Sequence, residues 1–274
     1  MPELPEVETV RRTLLPLVTG RKIMGLTVLQ RELRRPVHPS RLKRQVVGRR
    51  LETVERRGKY LLFSLNSPQV LVLHLGMTGR LRVVSSQAPV HPYDCLLFHL
   101  SGGKDLRYED KRRFGLVFAA SGKTLARDPS FRNMGPEPLG DSMPEDYLWV
   151  RSRGRHLPVK NFLMDGRVIA GIGNIYANEA LFAARIRPNR AVSRLSKATF
   201  ARLTESLRAI LRDAIAQRGT SFSDYRDGNG QPGDFQIRLR VYGKEGKPCS
   251  NCSTRIRRIV QAGRSSFFCP FCQR

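Results

Sequence analysis

The clearest periodic signal stands at the start of the chain. Val7, Val10, Leu14 and Val18 recur at i, i+3, i+7 and i+11, which is one apolar stripe of a helix. Pro5 suits the first turn of that helix, where a missing N–H costs nothing. Glu6 and Glu8 complement the positive end of its dipole. Pro2 and Glu3 are left over, because the helix needs neither. From about residue 23 to 120 the apolar period shortens. Residues 70–75, 96–100 and 116–119 read as strands, with turns at Gly76, Gly79, Gly102-Gly103 and Gly115 between them. Short strands so spaced predict a β-sandwich or barrel rather than βαβ units. Residues 121–145 are rich in Pro, Gly, Asp and Ser and read as a connection between domains. Helical spacing then returns. Residues 174–185 form one predicted helix, opened by Gly171-Ile-Gly-Asn174. Ser196 caps a longer one, whose apolar face runs from Phe200 to Ile215, and Gly219 ends it in the left-handed position. The polar stretch 220–234 is too long for a simple connection, and loops of that length tend to be functional or disordered.

Charge narrows the class of partner. Forty-nine Lys and Arg against twenty-three Asp and Glu leave +26, which points to a polyanion and first to nucleic acid. Residues 31–57 alone carry ten basic and three acidic side chains. No apolar run approaches the roughly 20 residues of a membrane span, and the acidic N-terminus lacks the layout of a secretory signal. A cytoplasmic protein is the expectation.

Four of the five cysteines fall in the last 26 residues, as Cys249-x-x-Cys252 and Cys269-x-x-Cys272. Two such knuckles hold one tetrahedral zinc through four thiolates, a structural site because no position is left for water. Cys95 stands apart and reads as a small buried strand residue. Gly171-Ile-Gly-Asn174 at a helix start offers an anion seat of backbone N–H groups, though a lone Gly-x-Gly is weak. Arg264 falls in the hairpin turn between the knuckles, where it could reach a phosphate or be a plain turn arginine. Asp110 and Arg112 can pair with each other. Phe114, beside a turn glycine, is a core residue or a ring that replaces a base in a stack, and composition favours the core. Met77 fits a core gap or an exposed wedge, and Lys59 a surface charge or a phosphate contact. Spacing leaves these open.

Together the blocks carry a family resemblance. Met1-Pro-Glu-Leu-Pro-Glu-Val-Glu-Thr9, Arg57-Gly-Lys-Tyr60, His74-Leu-Gly-Met77 and Asp110-Lys-Arg-Arg-Phe-Gly115 are followed by Gly135-Pro-Glu-Pro-Leu139 and Gly173-Asn-Ile-Tyr-Ala-Asn-Glu179. Val241-Tyr-Gly243 and the cysteine knuckles complete the series. In this order, over nearly the whole length, the chain resembles the bacterial formamidopyrimidine-DNA glycosylases. The resemblance implies an α+β multi-domain fold: an N-terminal helix plus β-sandwich over 1–132, a helix–two-turns–helix domain with a lesion-recognition loop over 136–234, and a zinc-finger β-hairpin over 237–274. It implies a monomer acting on damaged double-stranded DNA in the bacterial cytosol and nucleoid, with one structural zinc and no membrane. The activity it implies is excision of oxidised purines by a Pro2 Schiff base, followed by strand cleavage through β,δ-elimination.

By the same resemblance Pro2, Glu3, Lys59 and Arg264 are catalytic, with Glu6, Asn174 and Tyr242 in support. His74, Met77, Asp110, Arg112, Phe114, Lys160, Asn174 and Arg264 contact DNA. Thr220, Ser221, Phe222, Ser223 and Tyr225 belong to the loop over the damaged base. Two departures stand out: Arg218-Gly219-Thr220 where the family often has Gly-Gly-Thr, and Asn161-Phe162 where Pro-Trp is common. An endonuclease VIII-like enzyme for oxidised pyrimidines and a non-catalytic zinc-finger nucleic-acid-binding protein are the alternatives. The second leaves Pro2-Glu3 and the 110–115 block without a purpose.

Overall fold

The structure, a computed structural model, describes residues 1–220 and 234–274. It forms two compact units, Met1–Asn133 with Gln217–Asp234, and Met134–Ala216 with Phe235–Arg274. Segment 217–234 therefore belongs with the N-terminal unit, and the cysteine-bearing tail shares a unit with the helices.

The first unit opens with helix α1 (Leu4–Val18), whose Val7, Val10, Leu14 and Val18 are all buried, as their spacing predicts. Strand β1 (Ile23–Val28) and helix α2 (Pro39–Val46) follow. Next come β2 (Leu51–Arg57), β3 (Tyr60–Leu65), β4 (Gln69–His74), β5 (Arg80–Ser85), β6 (Asp94–Leu100), β7 (Lys104–Glu109) and β8 (Leu116–Ser121), then a short helix α3 (Gly122–Arg127). The strands make two four-stranded antiparallel sheets, ordered β1-β6-β7-β5 and β2-β3-β4-β8. Phe63, Leu71 and Leu73 of one sheet and Leu81, Phe98 and Leu106 of the other enter one shared core. This is the sandwich that the short strands predict. Helix α1 packs on β2, β3 and β5, and an ion cluster fixes it there. Glu8 meets Arg11 and Arg12 of its own helix at 2.8 Å and Arg56 of β2 at 3.2 Å. Burial alone would push the Glu8 carboxyl up; the arginines outweigh it and hold it at about 2.

In the second unit helices α4 (Tyr147–Ser152), α5 (Val159–Met164), α6 (Asn174–Ala183) and α7 (Lys197–Ala216) precede the hairpin of β9 (Arg257–Gln261) and β10 (Arg264–Phe268). Ser196 caps α7, its Oγ accepting from Thr199 N at 3.2 Å. The helices enclose a core of their own. Phe162, where the family's tryptophan is common, lies in it with its ring 6.1 Å from Phe200, so an aromatic is retained. The hairpin has no such core. Its apolar cluster is Val241, Cys249, Ile256 and Cys269 against Phe182 of α6, which explains why the tail joins the helical unit.

The residues after α7 keep an unusual backbone. Gly219 has φ +80° and Arg218 φ +61°, so the arginine sits in the left-handed region where the family pattern offers glycine. A Cβ on Gly219 would meet the Glu6 carboxylate at 2.9 Å, and this close approach requires a glycine.

Candidate functional site

The chain terminus is seated rather than loose. Pro2 is buried, and Glu3 and Glu6 are each 2% exposed. Glu6 uses both oxygens on backbone: Oε2 accepts from Glu3 N and Oε1 from Thr220 N, each at 2.8 Å. One side chain thus ties the first turn of α1 to the segment entering 220–234. Lys59 stands in the tight turn between β2 and β3, after Gly58 with φ +57°. The amine at this terminus is that of Met1, standing one residue before the amine that loss of Met1 would expose. Burial holds it below its usual range, Glu3 and Glu6 oppose the shift, and Lys59 and Arg112 add to it.

His74, at the end of β4, is 6% exposed and lies against the Tyr60 ring at 4.7 Å. Its Nδ1 accepts from Gly76 N at 2.9 Å. Burial pushes the imidazole down to about 3, with Arg34 and Lys59 adding to the effect. The ring is neutral and keeps its proton on Nε2, as a donor.

Two turns then come together. Asp110 accepts from Thr78 Oγ1 at 2.6 Å, Gly115 N at 2.7 Å, Tyr108 OH at 3.0 Å and Arg112 N at 3.2 Å. The expected pairing of Asp110 with Arg112 is thus to the backbone; the guanidinium lies over the Phe114 ring, 4.8 Å from its centroid. Asp110 is 2% exposed and acts as the internal post of the loop, not as a surface contact. The turns touch so closely that a Cβ on Gly76 would lie 2.5 Å from Phe114 backbone. Met77 and Phe114 project from this pair, 40% and 46% exposed. Phe114 is therefore not a core residue, against what composition favours. Replacing Asp110 by alanine strands two hydroxyls and a backbone N–H, at about 1–3 kcal/mol for each buried group. Asp110→Ala should lose at least about 3 kcal/mol in urea unfolding, and a loss below about 1 kcal/mol would contradict the post role.

In the second unit Asn174 is the first residue of α6, following Gly173, with Gly171 at φ +82° before it. Arg264 is exposed at the start of β10, directly after a two-residue turn in which Ala262 and Gly263 both have positive φ. Tyr242 lies edge-on to Phe267 at 5.3 Å. Its N–H donates to Glu179 Oε1, and the same carboxylate accepts from Arg240 N and Val241 N. Burial pushes Glu179 up against the pull of these three donors. Lys160 departs from its expected place on the DNA surface. It is 1% exposed, and Nζ donates to Ser265 O at 2.8 Å and Ser266 Oγ at 2.7 Å. A buried ammonium needs such partners, so this lysine anchors the hairpin. Thr78, Asn178 and Glu179 hold neighbouring residues in place, roles that depend on tertiary partners and are not assigned to them from the sequence. Ser221, Phe222, Ser223 and Tyr225 lie outside the described residues.

The four Sγ atoms of Cys249, Cys252, Cys269 and Cys272 lie within 4.8 Å of one another, with separations of 3.4 and 3.9 Å. A tetrahedral thiolate site with bonds of about 2.3 Å has sulfur–sulfur edges of about 3.8 Å. The cluster fits a four-coordinate metal.

Family models match three segments of the chain, the second of which runs into the stretch that the structure groups with the N-terminal unit. The family model described as Formamidopyrimidine-DNA glycosylase N-terminal domain matches residues 1–117, its H2TH domain counterpart residues 134–226, and "Zinc finger found in FPG and IleRS" residues 246–274. The formamidopyrimidine-DNA glycosylase of Thioalkalivibrio sulfidiphilus is 46% identical over 274 residues, covering both chains fully. That of Geobacter sulfurreducens is 45% identical with the same coverage. Among solved structures, a Lactococcus lactis FPG mutant in complex with a Fapy-dG containing DNA is similar with TM-score 0.93, 34% identity and full coverage of both chains. The FPG protein of Thermus thermophilus gives TM-score 0.88 and 40% identity over 99% of this chain and 98% of that one. The chain belongs to the formamidopyrimidine-DNA glycosylase family. Among the described residues no helix is long and apolar enough to cross a membrane.

Proposed function

We propose that this chain is a bifunctional base-excision repair enzyme, removing oxidised purines such as 8-oxoguanine opposite cytosine and formamidopyrimidines, then cutting the strand. The carrying observation is the buried start of the chain, where Pro2 and Glu3 lie beside Glu6, whose carboxylate accepts from Glu3 N. With Met1 removed, the Pro2 nitrogen attacks C1′ of the damaged nucleotide and the C1′–base bond breaks, the base leaving with a proton. Opening of the sugar gives an iminium, whose positive charge acidifies the C2′ hydrogen; loss of that proton expels the 3′ phosphate, and a second elimination expels the 5′ phosphate. Glu3 and Lys59 exchange these protons, and Glu6 keeps the terminus in place. The site must first take its base out of the duplex, at a few kcal/mol. Met77, Arg112 and Phe114 fill the vacated stack, with Arg112 facing the orphaned cytosine. His74 donates to a phosphate from Nε2, and Asn174 and Arg264 grip phosphates beside the flipped nucleotide. Thr220, Ser221, Phe222, Ser223 and Tyr225 recognise the damaged base, and Tyr242 supports the active site. Zinc held by the four cysteines keeps the hairpin folded. The enzyme works as a monomer in the bacterial cytosol and nucleoid.

Borohydride reduction during reaction with an 8-oxoguanine:cytosine duplex should trap the protein covalently, and mass mapping should find the adduct on the peptide beginning at Pro2. Binding without trapping or scission would leave a non-catalytic zinc-finger protein. One similar structure, a Lactococcus lactis FPG, holds an oxidized pyrimidine containing DNA, so a thymine glycol duplex is the comparison arm. Faster excision there than of 8-oxoguanine would favour the endonuclease VIII-like alternative.

A further inference from the structure

The hairpin bearing Arg264 and the helix bearing Asn174 are joined by one buried amide. Asn178 is 1% exposed on α6, one turn beyond Asn174. Its Nδ2 donates to Asn174 O at 2.6 Å, and its Oδ1 accepts from Phe267 N of β10 at 2.7 Å. Only one orientation of the amide satisfies both partners, so the contact also fixes direction.

The hairpin geometry explains why this N–H is on offer. Gln261 and Arg264 flank a two-residue turn and form a hydrogen-bonded pair, so the pairs alternate from there. Ser265 and Phe267 fall at the non-bonded positions, and their backbone groups point away from β9. Ser265 O is taken by Lys160 of α5 and Phe267 N by Asn178 of α6. The outer edge of β10 is thus pinned at two points two residues apart, and Arg264 is the next residue before them. Lys160 holds the strand to α5. Asn178 alone among these contacts also bonds the residue that opens α6.

We infer that Asn178 is a positioning residue that fixes the spacing between Asn174 and Arg264, making the two a single phosphate clamp. The inference rests on the reading of both as phosphate grips given above. Two grips on a rigid common frame share one ligand geometry, so removing either spoils the other's contact and their effects are not additive. Without the frame each acts alone.

The test is a mutant cycle on the metal-loaded full chain, reading Kd for a duplex that carries a tetrahydrofuran abasic analogue. Asn174→Ala and Arg264→Ala should each weaken binding. The double variant should be weaker than either, yet stronger than the product of the two losses by about fivefold or more. Repeated in an Asn178→Ala background, that discrepancy should shrink to within about twofold, with zinc content unchanged. Asn178→Asp, which keeps an acceptor for Phe267 N and loses the donor to Asn174, should abolish the coupling as well, and serves if the alanine variant does not fold. A discrepancy that persists at full size in both Asn178 backgrounds overturns the inference and leaves the phosphate-grip reading intact. If neither Asn174→Ala nor Arg264→Ala changes Kd, the phosphate-grip reading fails and the inference falls with it.

Discussion

A chain whose amino terminus is blocked by acetylation should bind an abasic-analogue duplex within about threefold of the processed protein, yet fall at least about a thousandfold in strand cutting. The asymmetry follows from how the terminus is held. Glu3 and Glu6 are buried, and the Glu6 carboxylate accepts from the backbone N–H groups of Glu3 and Thr220, so the first turn of α1 keeps its shape whatever caps the nitrogen. On the proposed reading, binding draws on other groups, among them the exposed Met77 and Phe114 with Arg112. What the block removes is one lone pair, and no other side chain beside it is a comparable nucleophile. Pro2→Gly is a weaker control, since it still presents a primary amine capable of forming a Schiff base. Single-turnover cutting and borohydride trapping on one 8-oxoguanine duplex read the outcome. Equal cutting by blocked and processed chains would falsify the assignment of Pro2.

How much of this was legible beforehand depends on whether a residue's role is periodic. The apolar stripe of α1 and the face of α7 read directly, because each buries one side of a regular helix. The strands β4, β6 and β8 read because they are continuous apolar runs. The edge and mixed strands β1, β2, β5 and β7 did not. Arg82 of β5 and Arg107 of β7 are charged residues within a sheet, and Glu109, Asp105 and Asp94 together with the carbonyls of Ala88 and Pro89 make that tolerable. Pairing across strands is invisible to a local pattern. Short α4 and α5 have too few turns to show a period. The cysteine spacing was fully informative, since four ligands to one metal leave little else to satisfy. At the wedge, composition favoured a buried Phe114, whereas the ring is exposed, because the loop takes its stability from Asp110 and not from the ring. Lys160 shows the reverse. The resemblance implies a DNA contact for this lysine, yet the tertiary fold encloses it and gives it Ser265 and Ser266.

Removing the metal should unfold the hairpin while sparing the helices above it. Beyond the cysteines themselves, the tail's apolar cluster is Val241, Ile256 and Phe267 against Phe182, far too little to offset the ordering of some thirty residues at about 1–2 kcal/mol each in backbone entropy. Structural zinc in such sites contributes about 10–16 kcal/mol at neutral pH, which a zinc held by the four cysteines would supply to the hairpin. The α5–α7 core, with Phe162, Phe200, Leu203 and Leu207 fully buried, does not depend on it. Chelation, or Cys269→Ser, should therefore abolish amide protection across Arg257–Gln261 and Arg264–Phe268 while leaving that of α7. With β10 unfolded, Arg264 is no longer presented, and Lys160 and Asn178 lose Ser265 O and Phe267 N as partners. Duplex affinity should fall about a hundredfold, in proportion to the loss of several charge-assisted phosphate contacts. Adding back zinc to the chelated protein should restore protection and affinity together, and magnesium should restore neither, since thiolates are poor ligands for it. Hairpin amides that stay protected in the metal-free protein would show that packing on Phe182 suffices and that the metal is dispensable for the fold.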